Sequence, residues 1–206
     1  MRHLIDQNPA RLLKPKDFAA TASKPRDRVL LLPELRKLWQ ALDQASGTNQ
    51  SNIQISAMSI VTTSAIKLLI LTGARRGEIA AMRWSELNIE EGVWLLPSER
   101  TKNRQAHTIY LSSLAAGIIQ SLSRITGHSQ FVFDTGHYKD GRHIHSDTLT
   151  GVIARLCGKA TGMKKKLASD APLADMPSFS IHDLRRSAAT AWGEYLKTEP
   201  HGTCTK

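Results

Sequence analysis

Cysteine is nearly absent from this chain: Cys157 and Cys204 are the only two in 206 residues. Two thiols build no disulfide framework, and neither sits in a C-x-x-C pattern, so neither a stapled secreted scaffold nor a structural zinc site is expected. Long apolar runs are missing too. They stop at four residues, as at Leu68–Leu71, well short of the about 18 that a membrane span needs. The N-terminus, Met1-Arg2-His3-Leu4-Ile5-Asp6-Gln7-Asn8-Pro9, holds no stretch of signal-peptide length. These absences lead us to expect a cytoplasmic protein with no membrane partner.

Negative charge is also scarce. Lys and Arg number 28 against 18 Asp and Glu, a net charge of +10. Residues 1–40 carry +5, residues 41–150 carry +1 and residues 151–206 carry +4. Two basic ends around a near-neutral middle suit a polyanion lying across the surface. Hydrophobic residues make up 41% and charged ones 22%, which excludes wholesale disorder. A chain of this size buries about 70% of its unfolded surface, enough for an ordinary core.

Periodicity gives the elements. Pro9, Pro15 and Pro25 punctuate residues 1–25, which read as a linker remnant. Pro33 opens a helix whose stripe is Leu35, Leu38, Trp39 and Leu42. A second helix runs from Ala57 to Leu71 with Ile60, Val61, Ser64, Ala65, Leu68 and Leu69 on one face, stopped by Thr72-Gly73. A short helix spans Gly77 to Trp84. Then the period changes to two: residues 92–96 and 107–111 read as strands, and Phe131–Phe133 as a third. Ser113 and Ser146 read as caps of two further helices, and His182 to Leu196 as the last. Residues 160–178, with Lys164-Lys165-Lys166, read as a mobile segment. The sum is an α+β fold, mainly helical, with a small antiparallel sheet.

Two basic clusters stand out: Thr72-Gly73-Ala74-Arg75-Arg76-Gly77-Glu78, and His182-Asp183-Leu184-Arg185-Arg186. Each joins a helix terminus to guanidinium groups, the pairing that suits phosphate oxygens. Three residues separate His182 from Arg185, so they share a helix face. Alone, each cluster reads equally as a solvated helix end. Together, T-G-x-R-x-G-E, a lysine (Lys102) 27 residues after Arg75, and H-x-x-R 80 residues beyond that resemble the catalytic domain of tyrosine recombinases (phage integrases). Met82-Arg83-Trp84-Ser85, Arg100-Thr101-Lys102-Asn103 and Ser187-Ala188-Ala189-Thr190 match as well, and the text is most similar to prophage integrases of the satellite-phage type.

The resemblance implies roles. Arg75, Lys102, His182 and Arg185 match the catalytic residues, Glu78 a position that supports the first arginine, and Arg76 a structural neighbour. Attack on a phosphodiester builds negative charge on the non-bridging oxygens, which two arginines stabilise without a metal or cofactor. A lysine with a lowered pKa serves as acid for the leaving 5′ oxygen. The implied partner is double-stranded DNA, with self-association on DNA in the full-length protein. The family's nucleophile is a tyrosine placed after H-x-x-R and a following G-H or N-H motif. Tyr110, Tyr138 and Tyr195 do not occupy that place. The expectation is therefore a linker over 1–25 and, over 26–206, a catalytic domain lacking its nucleophile segment, inactive alone but able to bind DNA. The alternative is a non-catalytic DNA-binding or assembly module from a decayed prophage integrase. His137, His143 and His145 offer weak grounds for a metal site, and Gly158-Lys159-Ala160 departs from a phosphate-binding loop at several positions.

Overall fold

The computed structural model describes residues 27–46, 59–101, 103–136, 141–159 and 171–198, with 192–198 described as helical backbone alone. The elements in order are α1 (Leu32–Ala45), α2 (Ile60–Thr72), α3 (Arg76–Ala80), β1 (Leu87–Asn88), β2 (Val93–Leu96), β3 (His107–Tyr110), α4 (Ser113–Thr126), α5 (Ser146–Leu156) and α6 (Ile181–Thr198). The linker read over 1–25 and the lysine run at 164–166 lie outside the described residues.

α2 organises the core. Val61, Thr62, Thr63, Ser64, Ala65, Ile66, Leu68 and Leu69 are all buried, and the helix packs against α1, α3, α4, α5 and α6. A single apolar face was expected. A helix enclosed by neighbours hides its small polar residues too, and Thr63 meets its own need by donating its hydroxyl to the Ile60 carbonyl at 3.1 Å. α1 lies against it through Leu38, Ala41, Leu42 and Ala45. Lys67 pairs with Asp43 and sits 5.1 Å from the Trp39 ring centre, which fixes that contact at its polar margin. Trp94 is fully buried beneath the sheet, and Trp84 donates its indole N–H to the Thr126 carbonyl at 3.1 Å. Trp192 lies where no side chain is described.

The sheet has the order β1-β2-β3, all antiparallel, with Trp94 opposite Ile109 and Leu96 opposite His107. Both long strands were legible from their alternation. β1, two residues paired to β2 through Leu87 and Trp94, was not; so short a segment carries no period. Phe131–Phe133 is no strand. It makes only isolated antiparallel bridges, Arg83 with Phe131 and then Asp134 with His143, because its partner changes within three residues: the Val132 N–H donates to the Met82 carbonyl at 3.0 Å, while the Phe133 carbonyl accepts the Ile144 N–H at 2.8 Å.

α2 starts at Ile60, capped by Ser59, three residues later than read, and the caps of α4 and α5 each shift by one. Ser112, not Ser113, caps α4, accepting from the Ala115 N–H at 3.3 Å. His145, not Ser146, caps α5, its Nδ1 accepting from the Asp147 N–H. α3 ends at Ala80, and a separate 3-10 turn covers Trp84–Glu86. Of the segment read as mobile, residues 160–170 lie outside the described residues; in 171–178 Leu173 is fully buried and its N–H donates to the Leu156 carbonyl at 2.9 Å, and the exposed Asp175 pairs with Lys37 at 2.6 Å. Among the described residues no helix is long and apolar enough to cross a membrane.

Among the described residues, three carboxyls titrate below their ordinary range, Asp175 among them chiefly through its hydrogen bond from Lys37. Glu34 is lowered chiefly by its hydrogen bond from Arg28. Burial pushes Asp134 up, but hydrogen bonds from Ser129, Gly136 and Arg142 more than offset it. Groups that hold protons less tightly when folded stabilise the fold fully above the unfolded carboxylate range and lose that contribution as pH falls through the folded values, below about pH 4. Asp134→Asn should therefore narrow the fall in melting temperature between pH 7 and pH 3 relative to the unsubstituted chain. An unchanged fall, followed by circular dichroism, would contradict this.

Candidate functional site

The turn between α2 and α3 presents the first arginine. Gly73 takes a left-handed φ of 62°, and its N–H donates to the Leu69 carbonyl at 3.0 Å, closing α2. Thr72 adds a second lock: its hydroxyl donates to the Leu68 carbonyl at 2.7 Å and accepts from the Ala74 N–H at 3.3 Å. The chain leaves this turn extended at Arg75, which caps α3.

Glu78 then holds Arg75 twice. One carboxylate oxygen accepts the Arg75 backbone N–H at 2.7 Å and the other accepts its Nη1 at 2.7 Å. The Glu78 side chain is 5% exposed and that of Arg75 38%. The pair thus presents one guanidinium face to solvent from a buried root.

α6 supplies the second arginine. Its start is closed by Asp183, fully buried, which accepts the Ser180 N–H and hydroxyl at 2.8 Å each. Ser187 donates to the Asp183 carbonyl at 2.7 Å and accepts the Leu30 N–H at 2.8 Å, tying α6 to the chain entering α1. α6 packs on α2. At that contact, a Cβ placed on Gly73 would lie 3.6 Å from the Ala188 Cβ. Small residues there let the two basic segments approach.

The result is a pair of adjoining cavities of about 390 and 540 Å³. Arg75, Glu78, Thr101 and Arg185 line both. Gln105 and His107 from the sheet side close the first; His182 and Ile181 border the second. Two arginines 110 positions apart in sequence therefore share one recess. Lys102 lies outside the described residues, although its neighbours Thr101 and Asn103 line the first cavity.

In each arginine doublet the second member is tied to a carboxylate of the fold, although Arg76 also borders the second cavity. Arg76 turns to α5, reaching Asp147 at 2.9 Å and the Thr150 hydroxyl at 3.0 Å. Arg186 reaches Asp183 at 3.5 Å. Their neighbours Arg75 and Arg185 face the recess, and Arg185 pairs with no carboxylate among the described residues. A concave surface with one unneutralised guanidinium and one partly neutralised has the charge and fork geometry that suit a tetrahedral anion.

The histidines disperse. His143 packs edge-on against Phe131 at 5.0 Å, His145 caps α5, and His137 lies outside the described residues. Among the described residues no three metal-binding side chains converge. Sequence reasoning missed Arg100, Gln105 and His107. Gln105 and His107 flank the loop's return into β3, and only a placement of that loop marks them.

The model of the phage integrase family matches residues 29–194. Prophage integrase IntZ of Escherichia coli strain K12 is 31% identical over 138 residues, covering 66% of this chain and 30% of that protein. Prophage integrase IntA of the same strain is 26% identical over 142 residues, covering 69% of this chain and 30% of that protein. The chain thus spans less than a third of the length of these curated relatives. In fold it is similar to XerH site-specific recombinase, solved bound to palindromic difH substrate after cleavage. The TM-score is 0.59 at 16% identity, covering 85% of this chain and 44% of that one.

Glu78→Ala strips Arg75 of its buried support and leaves an α3 N–H without its acceptor. It should cost roughly 1–3 kcal/mol by urea denaturation. A loss under about 0.5 kcal/mol would show that the carboxylate does not organise this turn.

Proposed function

The chain belongs to the phage integrase family, and from that premise we propose that residues 27–198 form the phosphate-clamping part of a cytoplasmic DNA recombinase, acting on double-stranded DNA. The observation that carries this reading is the shared recess lined by Arg75 and Arg185. The recombinase neighbours solved on DNA, among them a lambda integrase tetramer on a Holliday junction, support it by likeness of fold. They also support self-association of the full-length protein on DNA.

In this proposal the scissile phosphate sits in the recess with its non-bridging oxygens between the two guanidinium groups. As a nucleophile adds to phosphorus, charge grows on those oxygens, and fixed cations stabilise that arrangement more than the ground state. Glu78 keeps Arg75 from following the ligand, so the clamp is set before DNA arrives. His182, exposed at the start of α6 on the border of the second cavity, donates a hydrogen bond to the same phosphate or takes the nucleophile's proton. Lys102 serves as acid for the departing 5′ oxygen. The chemistry uses no metal or cofactor, since the cations are side chains. Tyr110, 80% exposed on β3, lines neither cavity and has no chemical role here.

Duplex binding tests the clamp. Arg185→Ala and Arg75→Ala should each weaken affinity about tenfold, and each should reduce the slope of log affinity against log salt by about one. Arg185→Ala should leave the melting temperature nearly unchanged, because that side chain supports no carboxylate. Affinity equal to that of the unsubstituted chain in both variants would reject the proposal, as would binding indifferent to salt.

A further inference from the structure

Arg100 borders the second cavity yet turns its fork inward, with its side chain 15% exposed. One arm pairs with Glu86. The other donates to the backbone carbonyl of Glu78 at 2.8 Å. Glu86 is itself buried at 7%, and the same oxygen accepts the Trp94 indole N–H at 3.1 Å and the Arg83 N–H at 3.2 Å. Its other oxygen meets no donor among the described residues. Arg100 therefore spans two bodies: the underside of the sheet at Trp94, and the turn whose acid holds Arg75.

The next residue extends the brace to the loop. The Thr101 hydroxyl donates to the Ser98 carbonyl at 3.1 Å and accepts the Gln105 N–H at 3.0 Å, drawing the two sides of the loop's base together. Thr101 and Gln105 line the first cavity together with Arg75. A buried ion pair is poor grounds for net stability, since desolvation offsets most of its attraction. Its geometry is the more informative property: a planar fork with two acceptors at fixed separation sets a distance.

We infer that Arg100 is a positioning residue, anchored by Glu86, that locks the Arg75–Glu78 turn to the base of the β2–β3 loop and so sets the orientation of the Arg75 guanidinium toward its phosphate. The inference rests on the clamp described above and deepens it.

Arg100→Lys separates distance-setting from simple support. A lysine keeps a positive charge against Glu86 but has no second arm for the Glu78 carbonyl. Duplex affinity of the full chain is measured across a salt series for the unsubstituted protein, R75A, R100K and R75A/R100K, at a temperature where circular dichroism shows all four folded. R100K should bind ~3–10-fold more weakly, with a salt slope moved toward that of R75A, and the double variant should bind no more weakly than R75A alone. Additive losses, or R100K matching the unsubstituted chain in affinity and slope, overturn the inference and leave the clamp standing. R75A binding as tightly as the unsubstituted chain overturns the clamp itself. If R100K does not fold, Glu86→Gln takes its place: it keeps an oxygen for Trp94 but removes the anchor's charge. The same loss, masked by R75A, supports the inference, and unchanged affinity overturns it.

Discussion

The Glu78 carboxylate accepts the Arg75 backbone N–H on one oxygen and the Arg75 guanidinium on the other, so one buried group sets both where α3 begins and where the cation stands. The rest of the recess is arranged around that pair of hydrogen bonds. Gly73 and Thr72 deliver the turn, Arg100 braces its carbonyl, and α6 closes from the far side. The device recurs. Glu34, Glu86 and Asp183 each stand three residues into a helical turn and accept the N–H at its start, and each also meets an arginine: Arg28, Arg100 and Arg186. A carboxylate at a helix start is favoured by the helix dipole and by the unpaired N–H groups there. Adding a guanidinium lets it do so while nearly dry.

Among the described residues, this usage neutralises several arginines of a chain whose net charge is +10. Arg28, Arg76, Arg100 and Arg186 are each engaged by a carboxylate of the fold. The charge remaining at the recess is concentrated on Arg185 and the exposed face of Arg75. Concentrated cation in a concavity attracts a phosphate more strongly than the same charge spread over a convex surface, because the low-dielectric walls focus its field.

Much of this was legible in the sequence. The stripe Leu38–Leu42 and the alternation through Trp94 and Ile109 announced α1 and the sheet, since burial on one face imposes a period. Thr72-Gly73 announced the end of α2. That Arg75 and Arg185 would come together was implied by the family resemblance of their two motifs, and the two side chains do line one recess. Arg100 was not, because its partners Glu86 and the Glu78 carbonyl lie 14 and 22 positions away, and nothing local distinguishes a buried fork from a solvated one. Phe131–Phe133 misled for the opposite reason: three apolar residues read as a strand, but the partners they need pair only singly. His145 displaced Ser146 as a cap because a ring nitrogen serves as well as a hydroxyl when the backbone brings it to the Asp147 N–H.

Gly73 and Ala188 meet where α6 crosses the end of α2. Neither carries a side chain that can rotate out of the way or adjust its length. The approach of α6 to the end of α2 is therefore limited at this point by a single methyl group and the backbones behind it. A bulkier residue at 188 would act as a wedge, shifting α6 along with His182 and Arg185 as one rigid piece.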